Sequence, residues 1–132
     1  MSRRTELVRM RSAFREITRE RVEELIDVAR LENERYAWTT RSRGISGTAA
    51  TATYPGTSKL MTVESFVNSL PRKEQAELTA LMVLGREPRT LSARGVELAA
   101  DPAYWTCNLG QYLASKGGLA RYLQEGMRVV GL

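Results

Sequence analysis

The chain has 132 residues, of which 42% are apolar, 27% are charged and none is histidine. This length and apolar content suffice for one domain with a single modest core, so a second core is not expected. The lack of histidine excludes every site that needs an imidazole, including Ser-His-Asp and Cys-His nucleophilic sites.

The net charge of +5 comes almost entirely from arginine, with only 3 lysines among 20 basic residues. Arginine suits phosphate recognition because its planar fork binds two oxygens at once. A GC-rich genome produces the same bias in every protein, and we prefer that explanation. Because 15 carboxylates are interspersed with the basic residues, charge alone does not predict a nucleic-acid binder.

No run of about 18 apolar residues is present, so no membrane span is predicted. The Ser2-Arg3-Arg4 opening is similar to a twin-arginine export signal, but Glu6 and Arg9 interrupt the apolar region that such a signal needs. The single cysteine permits no intrachain disulfide, which agrees with a reducing compartment. We therefore expect a cytoplasmic protein.

Residues 1–17 are predicted to form an N-terminal helical extension. Helical spacing places one narrow apolar stripe on it, made of Leu7, Met10, Phe14 and Ile17. On another side, a basic ridge recurs at steps of four: Arg11, Arg15 and Arg19. The ridge either contacts phosphate or is a solvated face in which Arg19 pairs with Glu23. We favour the solvated face, because no base-reading or stacking side chains accompany the ridge.

Thr18 is the predicted N-cap of a second helix, whose apolar face continues through Val22, Leu25, Ile26 and Ala29. The opposite side carries a cluster of carboxylates: Glu20, Glu23, Glu24 and Asp27. Helical di-metal sites of the ferritin-like type also use histidine. We therefore predict no metal here, only exposed acidic residues.

Residues 39–60 are rich in Thr, Ser, Gly and Ala and show no helical period, so a linker or mobile loop is predicted. Thr51–Tyr54 could pair as a short strand, but no partner strand is found elsewhere. Thr62 then caps a short helix that ends before Pro71.

Residues 71–86 are predicted to form the buried central helix of an all-α, multi-helix single domain spanning residues 1–132. Pro71 suits the first helical position, and Gly85 suits a left-handed helix end. The interior is apolar around most of each turn, which is typical of a helix with neighbours on several sides. Its centre is expected at Leu78, Leu81, Met82 and Leu84.

Two further helices are predicted from cap signals, one from Ser92 to Ala100 and one that begins at Asp101-Pro102. The second carries an aromatic-rich stripe that we interpret as core: Tyr104, Trp105, Leu109, Tyr112 and Leu113. Cys107 lies among these residues and is expected to be a small buried hydrophobe rather than a nucleophile. A final helix carries Leu119, Tyr122, Leu123 and Met127.

The chain resembles a small bacterial family of all-helical proteins of unknown function. The resemblance rests on an amphipathic helix at residues 17–30, an EQAELxALxxLGR core-helix motif at 74–86 and a closing YLxEGM element at 122–127. It implies the all-helical fold and carries over no activity, cofactor or catalytic residue. The linker and the first 16 residues depart from the family pattern.

The leading hypothesis for function is a non-enzymatic protein-interaction or self-association module. The apolar stripe lies outside the region that resembles the compact domain, so a second chain is its preferred cover and a two-fold homodimer is expected. The alternative is a nucleic-acid-associated accessory protein that uses the ridge of Arg11, Arg15 and Arg19. An enzyme with a carboxylate or Cys107 site is a third class, for which no specific pattern is found. No catalytic residue, cofactor or metal ligand is predicted.

Overall fold

The computed structural model describes residues 3–45 and 61–132, with the backbone alone for residues 36–45. These two ranges contain seven α-helices, one 3₁₀ turn and no strand, which confirms the predicted all-α class. The helices are α1 (Arg3–Arg11), α2 (Arg19–Ile45), α3 (Val63–Asn68), α4 (Arg72–Arg86), α5 (Ala93–Ala99), α6 (Leu109–Ala114) and α7 (Leu119–Val130), and the 3₁₀ turn is Pro102–Tyr104.

Helix α4 is the central helix, as predicted. Its core side chains are fully buried: Leu78, Leu81, Met82 and Leu84. Within the described ranges, α7 makes the most extensive contact with α4, and α5 and α6 pack against it as well. A helix that is apolar on most sides needs such neighbours around it.

Two glycines allow the close approach of α4 and α7. A Cβ atom on Gly85 would lie 1.7 Å from the carbonyl oxygen of Tyr122, and one on Gly126 would lie 2.3 Å from the carbonyl oxygen of Leu81. Both distances are shorter than any real Cβ contact. The two backbones therefore pack directly against each other at these positions.

The predicted ends of the central helix are corrected in two respects. Gly85 does not end the helix in a left-handed conformation, because it lies inside α4, and Gly131 is the only described residue with a positive φ. Pro71 is the N-cap residue rather than the first helical residue, since its ψ of 147° is extended. The lack of a side chain at Gly85 is explained by its close packing against α7 and not by a left-handed turn at the helix end.

The N-terminal stripe is buried in the core of its own chain. Met10, Phe14 and Ile17 are 0%, 7% and 4% exposed, and Leu7 packs partly buried against the same core. Helix α1 contacts α5 and α7, and the chain turns through residues 12–18 before α2 begins. The preference for a second chain as the cover of this stripe is therefore corrected, because the domain itself covers it.

The carboxylate of Glu77 connects this N-terminal turn to α4. Glu77 is fully buried, and its Oε1 atom accepts hydrogen bonds from the backbone N–H groups of Glu16 at 3.0 Å and Ile17 at 3.2 Å. Burial raises the pKa of the Glu77 carboxyl above its ordinary value, although the two hydrogen bonds oppose that shift. Glu77 thus provides a hydrogen-bond acceptor for two backbone N–H groups that lie between α1 and α2 and make no helical hydrogen bond.

Helix α2 begins as predicted but ends later than predicted. The Thr18 hydroxyl accepts a hydrogen bond from the backbone N–H of Arg21 at 3.2 Å, which confirms the N-cap. The helix then continues to Ile45 and includes residues 39–45 of the predicted linker. Residues 46–60, including the candidate strand at Thr51–Tyr54, lie outside the described residues.

The caps of α3 and α5 are also as predicted. The Thr62 side chain accepts from the backbone N–H of Ser65, and the Ser92 side chain accepts from that of Gly95, each at 3.1 Å. The Thr62 cap positions the apolar face of α3, whose residues Val63, Phe66 and Val67 are buried.

The helix predicted from Asp101 onward is interrupted. Asp101 caps only the three-residue 3₁₀ turn, and Asn108 caps a new helix, α6. Between them, Arg72 Nη2 donates to the carbonyl oxygens of Trp105 at 2.8 Å and Cys107 at 3.2 Å. These carbonyls therefore bond to a side chain of α4 instead of continuing a helix.

The aromatic stripe is only partly core. Trp105 and Tyr112 are half-buried, with ring centroids 5.4 Å apart, and Trp105 Nε1 donates to the carbonyl oxygen of Ala99 at 2.7 Å. Tyr104 is 56% exposed, and Cys107 is also exposed. The predicted burial of these last two residues is wrong, because the interrupted helix turns them towards solvent.

Candidate functional site

The three arginines of the predicted ridge lie in three different settings. Arg11 Nη1 donates to the carbonyl oxygens of Val130, at 3.1 Å, and Gly131, at the end of α7. Arg19 pairs with Glu23 at 2.9 Å, as the solvated-face alternative predicts. Because α1 ends at Arg11 and α2 begins at Arg19, no helix carries all three residues. The interpretation as one helical ridge is therefore corrected.

Arg15 lies in the turn between these helices, next to a different surface feature. Its Nε atom lies 3.4 Å from the carbonyl oxygen of Ser12, and the side chain is exposed. It lines an open pocket of about 520 Å³ together with Lys73, Glu97 and Asp101. Because two cations and two carboxylates share this lining, the pocket has no strong preference for a charged ligand.

A denser group of arginines lies where the C-terminal end of α4 meets α1 and α7. We call it the arginine pole, and it comprises Arg3, Arg86, Arg89, Arg121 and Arg128. Arg86 is the last residue of α4, and Arg89 follows in the loop to α5. Arg121 and Arg128 lie two turns apart on α7, so they face the same side of that helix.

Two adjoining surface pockets open at the arginine pole. The first has a volume of about 370 Å³ and is lined by Arg3, Arg89 and Arg128. The second has a volume of about 530 Å³ and is lined by Arg86 and Arg121, beside Tyr122. Pro88 and Glu125 line both pockets. Among the described residues, Glu125 is the only carboxylate in either lining.

Three of the five arginines already have partners. Arg3 donates to the carbonyl oxygen of Pro88 at 2.5 Å and lies 3.6 Å from Glu6. The Nη2 atom of Arg86 lies 4.0 Å from the Oε2 atom of Glu87. Arg128 is paired with Glu125. Five arginines thus face three carboxylates, which leaves the pole with a net charge of +2.

Arg89 and Arg121 are the available cations of the pole. Within the part of the chain that the structure describes, neither makes a hydrogen bond or a salt bridge. Arg89 lines the first pocket, and Arg121 lines the second. Each pocket therefore contains one guanidinium that has no hydrogen-bonded carboxylate, although the charge of Arg121 also acts on Glu125.

The Arg128–Glu125 pair is bidentate. Arg128 Nε lies 3.0 Å from Glu125 Oε2, and Arg128 Nη2 contacts Oε1. The hydrogen bond and charge of Arg128 lower the pKa of Glu125, and the charge of Arg121 acts in the same direction. Glu125 is therefore ionised at neutral pH.

The chemistry of the pole is that of binding. An arginine fork matches two oxygens of a phosphate or carboxylate. Within the described residues, the two linings contain no cysteine, serine or lysine that could act as a nucleophile. The arrangement can therefore hold an oxyanion through its guanidinium groups.

The sequence contains a partial signal for this site. Arg121, Glu125 and Arg128 are spaced by four and three residues, which places them on one face of a helix. The residues Arg86 and Arg89 suggest only a helix stop, and nothing local connects them with α7. Their meeting depends on the close packing of α4 and α7.

Other candidate features point to no ligand. No group of three potential metal ligands is found within residues 3–45 and 61–132. In the acidic cluster of α2, Glu23 pairs with Arg19 and Glu24 with Arg21. A search of the same residues for a helix with the length and apolar character of a membrane span also finds none.

One comparison with known proteins gives a match. The model of a family described as a protein of unknown function, DUF3775, matches residues 61–132. This is more than half of the chain, and the chain therefore belongs to that family. The match covers α3 to α7 and every residue of the arginine pole except Arg3. It does not cover residues 17–30, the amphipathic helix on which part of the family resemblance rests. No curated protein and no solved structure matches the chain.

Proposed function

We propose that this member of the DUF3775 family is a small non-enzymatic binding module that holds the phosphate groups of a nucleic acid at the arginine pole. The observation that carries the proposal is the pair of adjoining pockets, lined by five arginines of which three are paired with carboxylates. A nucleic acid is the partner class whose surface is a continuous row of such oxyanions.

The distribution of the free arginines favours a polymer over a single anion. Arg89 and Arg121 lie in different pockets, on either side of the shared lining of Pro88 and Glu125. One isolated phosphate can occupy only one of these pockets. A nucleic acid repeats its phosphates along each strand, so a single ligand molecule can present separate phosphates to both pockets.

The test is the binding of a fluorescently labelled DNA duplex, measured by anisotropy between 50 and 200 mM salt. The variant Arg89→Ala/Arg121→Ala removes the two free cations of the pole. The control Arg30→Ala/Arg94→Ala removes the same charge from exposed positions outside both linings. The pole variant should bind more weakly, and its plot of log K against log salt should be flatter by about 1.8, at about 0.9 for each lost phosphate contact.

The control should keep the slope of the wild type. Equal weakening by the pole variant and the control would assign the binding to overall charge, and the proposal would then be wrong. Failure of the wild type to bind duplex DNA at 50 mM salt would also contradict it.

The predicted homodimer stays a separate prediction. The stripe on which it rests, Leu7, Met10, Phe14 and Ile17, packs into the chain's own core. A dimer would therefore have to use another surface. A cytoplasmic location also belongs to the proposal, and the exposed thiol of Cys107 suits a reducing compartment.

A further inference from the structure

We infer that Glu125 is an internal competitor of the ligand at the arginine pole. Its carboxylate occupies the fork of Arg128 that a phosphate of the nucleic acid would otherwise bind. This inference rests on the proposed function and identifies the residue that regulates the affinity of the same site.

The geometry of the pair supports competition. Arg128 holds Glu125 through two parallel contacts, Nε to Oε2 at 3.0 Å and Nη2 to Oε1. This is the same fork arrangement in which arginine binds two phosphate oxygens. Glu125 thus occupies the Nε–Nη2 edge of the guanidinium, and a ligand phosphate can bind Arg128 through this edge only when the carboxylate leaves.

The position of Glu125 distinguishes it from the other carboxylates of the pole. Glu125 lines both pockets and lies between Arg121 and Arg128 on one face of α7. Glu6 and Glu87 pair with pole arginines but line neither pocket. Only Glu125 thus places a negative charge where ligand phosphates would lie.

The competition implies a preference among ligands. A carboxylate and a single phosphodiester each carry one negative charge, so exchanging one for the other brings no gain in charge. A ligand with several phosphates also reaches Arg89 and Arg121, which offer contacts that require no displacement. The site should therefore select polyanions over ligands with one phosphodiester.

The experiment compares Glu125→Gln with Glu97→Gln in the full chain, using the same labelled duplex. Glu97 is a matched control, because it is also paired with an arginine, Arg9, but lines neither pocket of the pole. Both substitutions remove one negative charge and keep the size of the side chain. Thermal unfolding of each variant verifies that the fold is retained.

Glu125→Gln should bind more tightly than the wild type, because Arg128 becomes available for one more phosphate. Its plot of log K against log salt should be steeper by about 0.9, which is about a 3.5-fold larger gain when salt falls from 200 to 50 mM. Glu97→Gln should keep the slope of the wild type. Adding Arg128→Ala to Glu125→Gln should abolish the extra slope.

Two results would overturn the inference. If Glu97→Gln steepens the slope as much as Glu125→Gln, the effect is one of overall charge. If Glu125→Gln binds no more tightly than the wild type, Glu125 positions Arg128 instead of blocking it. The inference alone fails in this second case if Arg89→Ala/Arg121→Ala still weakens binding. If no form of the protein binds DNA, the proposed function fails, and the inference fails with it.

Discussion

Substituting Gly85 with alanine tests whether the contact between α4 and α7 determines the stability of this domain. The new Cβ atom would lie 1.7 Å from the carbonyl oxygen of Tyr122 and 2.9 Å from the backbone nitrogen of Gly126. Cβ contacts below 3.0 Å essentially never occur. The Cβ atom and the carbonyl oxygen must therefore separate by at least a further 1.3 Å, the difference between 3.0 and 1.7 Å, and the backbones of α4 and α7 must move apart.

Two opposing contributions determine the size of the effect. Alanine favours a helix interior over glycine by about 1 kcal/mol. Overpacking a core costs about 1–3 kcal/mol and sometimes more, and we expect the upper end here because the obstructing atoms are backbone atoms. The net loss of unfolding free energy should be about 2 kcal/mol or more. For a chain of this length, it corresponds to a fall in Tm of about 6–10 °C.

The assay is urea and thermal unfolding followed by circular dichroism, with Gly117→Ala as the control. A Cβ atom on Gly117 would meet no heavy atom within 4 Å. That variant should stay within about 0.5 kcal/mol of the wild type. If Gly85→Ala also stays within this range, the two helices separate without loss, and the reasoning from close backbone packing is refuted.

Four other predictions concern the core, the buried acid and the oligomeric state. Leu81→Ala should reduce the free energy of unfolding by about 2–5 kcal/mol in the same urea assay, because Leu81 is fully buried; a loss below about 1 kcal/mol would move the centre of the core elsewhere. Glu77→Ala leaves the backbone N–H groups of Glu16 and Ile17 unpaired, and it should reduce the free energy of unfolding by about 1–3 kcal/mol for each of them in the urea assay. Because burial raises the pKa of Glu77 above that of the unfolded chain, the part of its contribution to stability that depends on protonation is fully present below the unfolded pKa and is lost as the pH rises through the folded pKa. The wild type should therefore gain stability relative to Glu77→Gln as the pH falls from 7 into the ordinary carboxyl range, and parallel pH dependences of the two urea midpoints would contradict this sign. Light scattering of the full chain at micromolar concentration should give the mass of a dimer, and a monomer mass would end the prediction of self-association.

The sequence predicts the helices well where the information is local. The caps at Thr18, Thr62 and Ser92 and the four core residues of α4 follow from hydrogen-bonding side chains and apolar period alone. Each of these signals comes from residues within a few helical turns of one another, so the sequence of one segment is enough to detect them.

The errors arise where a distant segment overrides the local pattern. Gly85 resembles a helix end, but its small size serves the contact with α7. The helix expected after Asp101 is interrupted because Arg72, on α4, binds the carbonyl oxygens of Trp105 and Cys107. Local sequence patterns do not predict contacts between segments that are distant in the sequence.

The candidate site is the least predictable part for the same reason. The arginine pole combines residues of α1, the end of α4, the following loop and α7. The predicted ridge assumed that one continuous helix connects Arg11 to Arg19, whereas the chain turns between them. Only the face of α7 that carries Arg121 and Arg128 was within reach of pattern analysis.

The segment that matches the family model is shorter than the part of the chain that builds the core. The family match begins at residue 61, yet Met10, Val22 and Leu25 of the preceding segment are fully buried in the core. A fragment limited to residues 61–132 would expose the apolar surface that these side chains cover, and it should aggregate or remain partly unfolded. A relative that shares only the matched segment would need another cover for this surface. In this chain, side chains outside the family match therefore complete the core around α4 and α7.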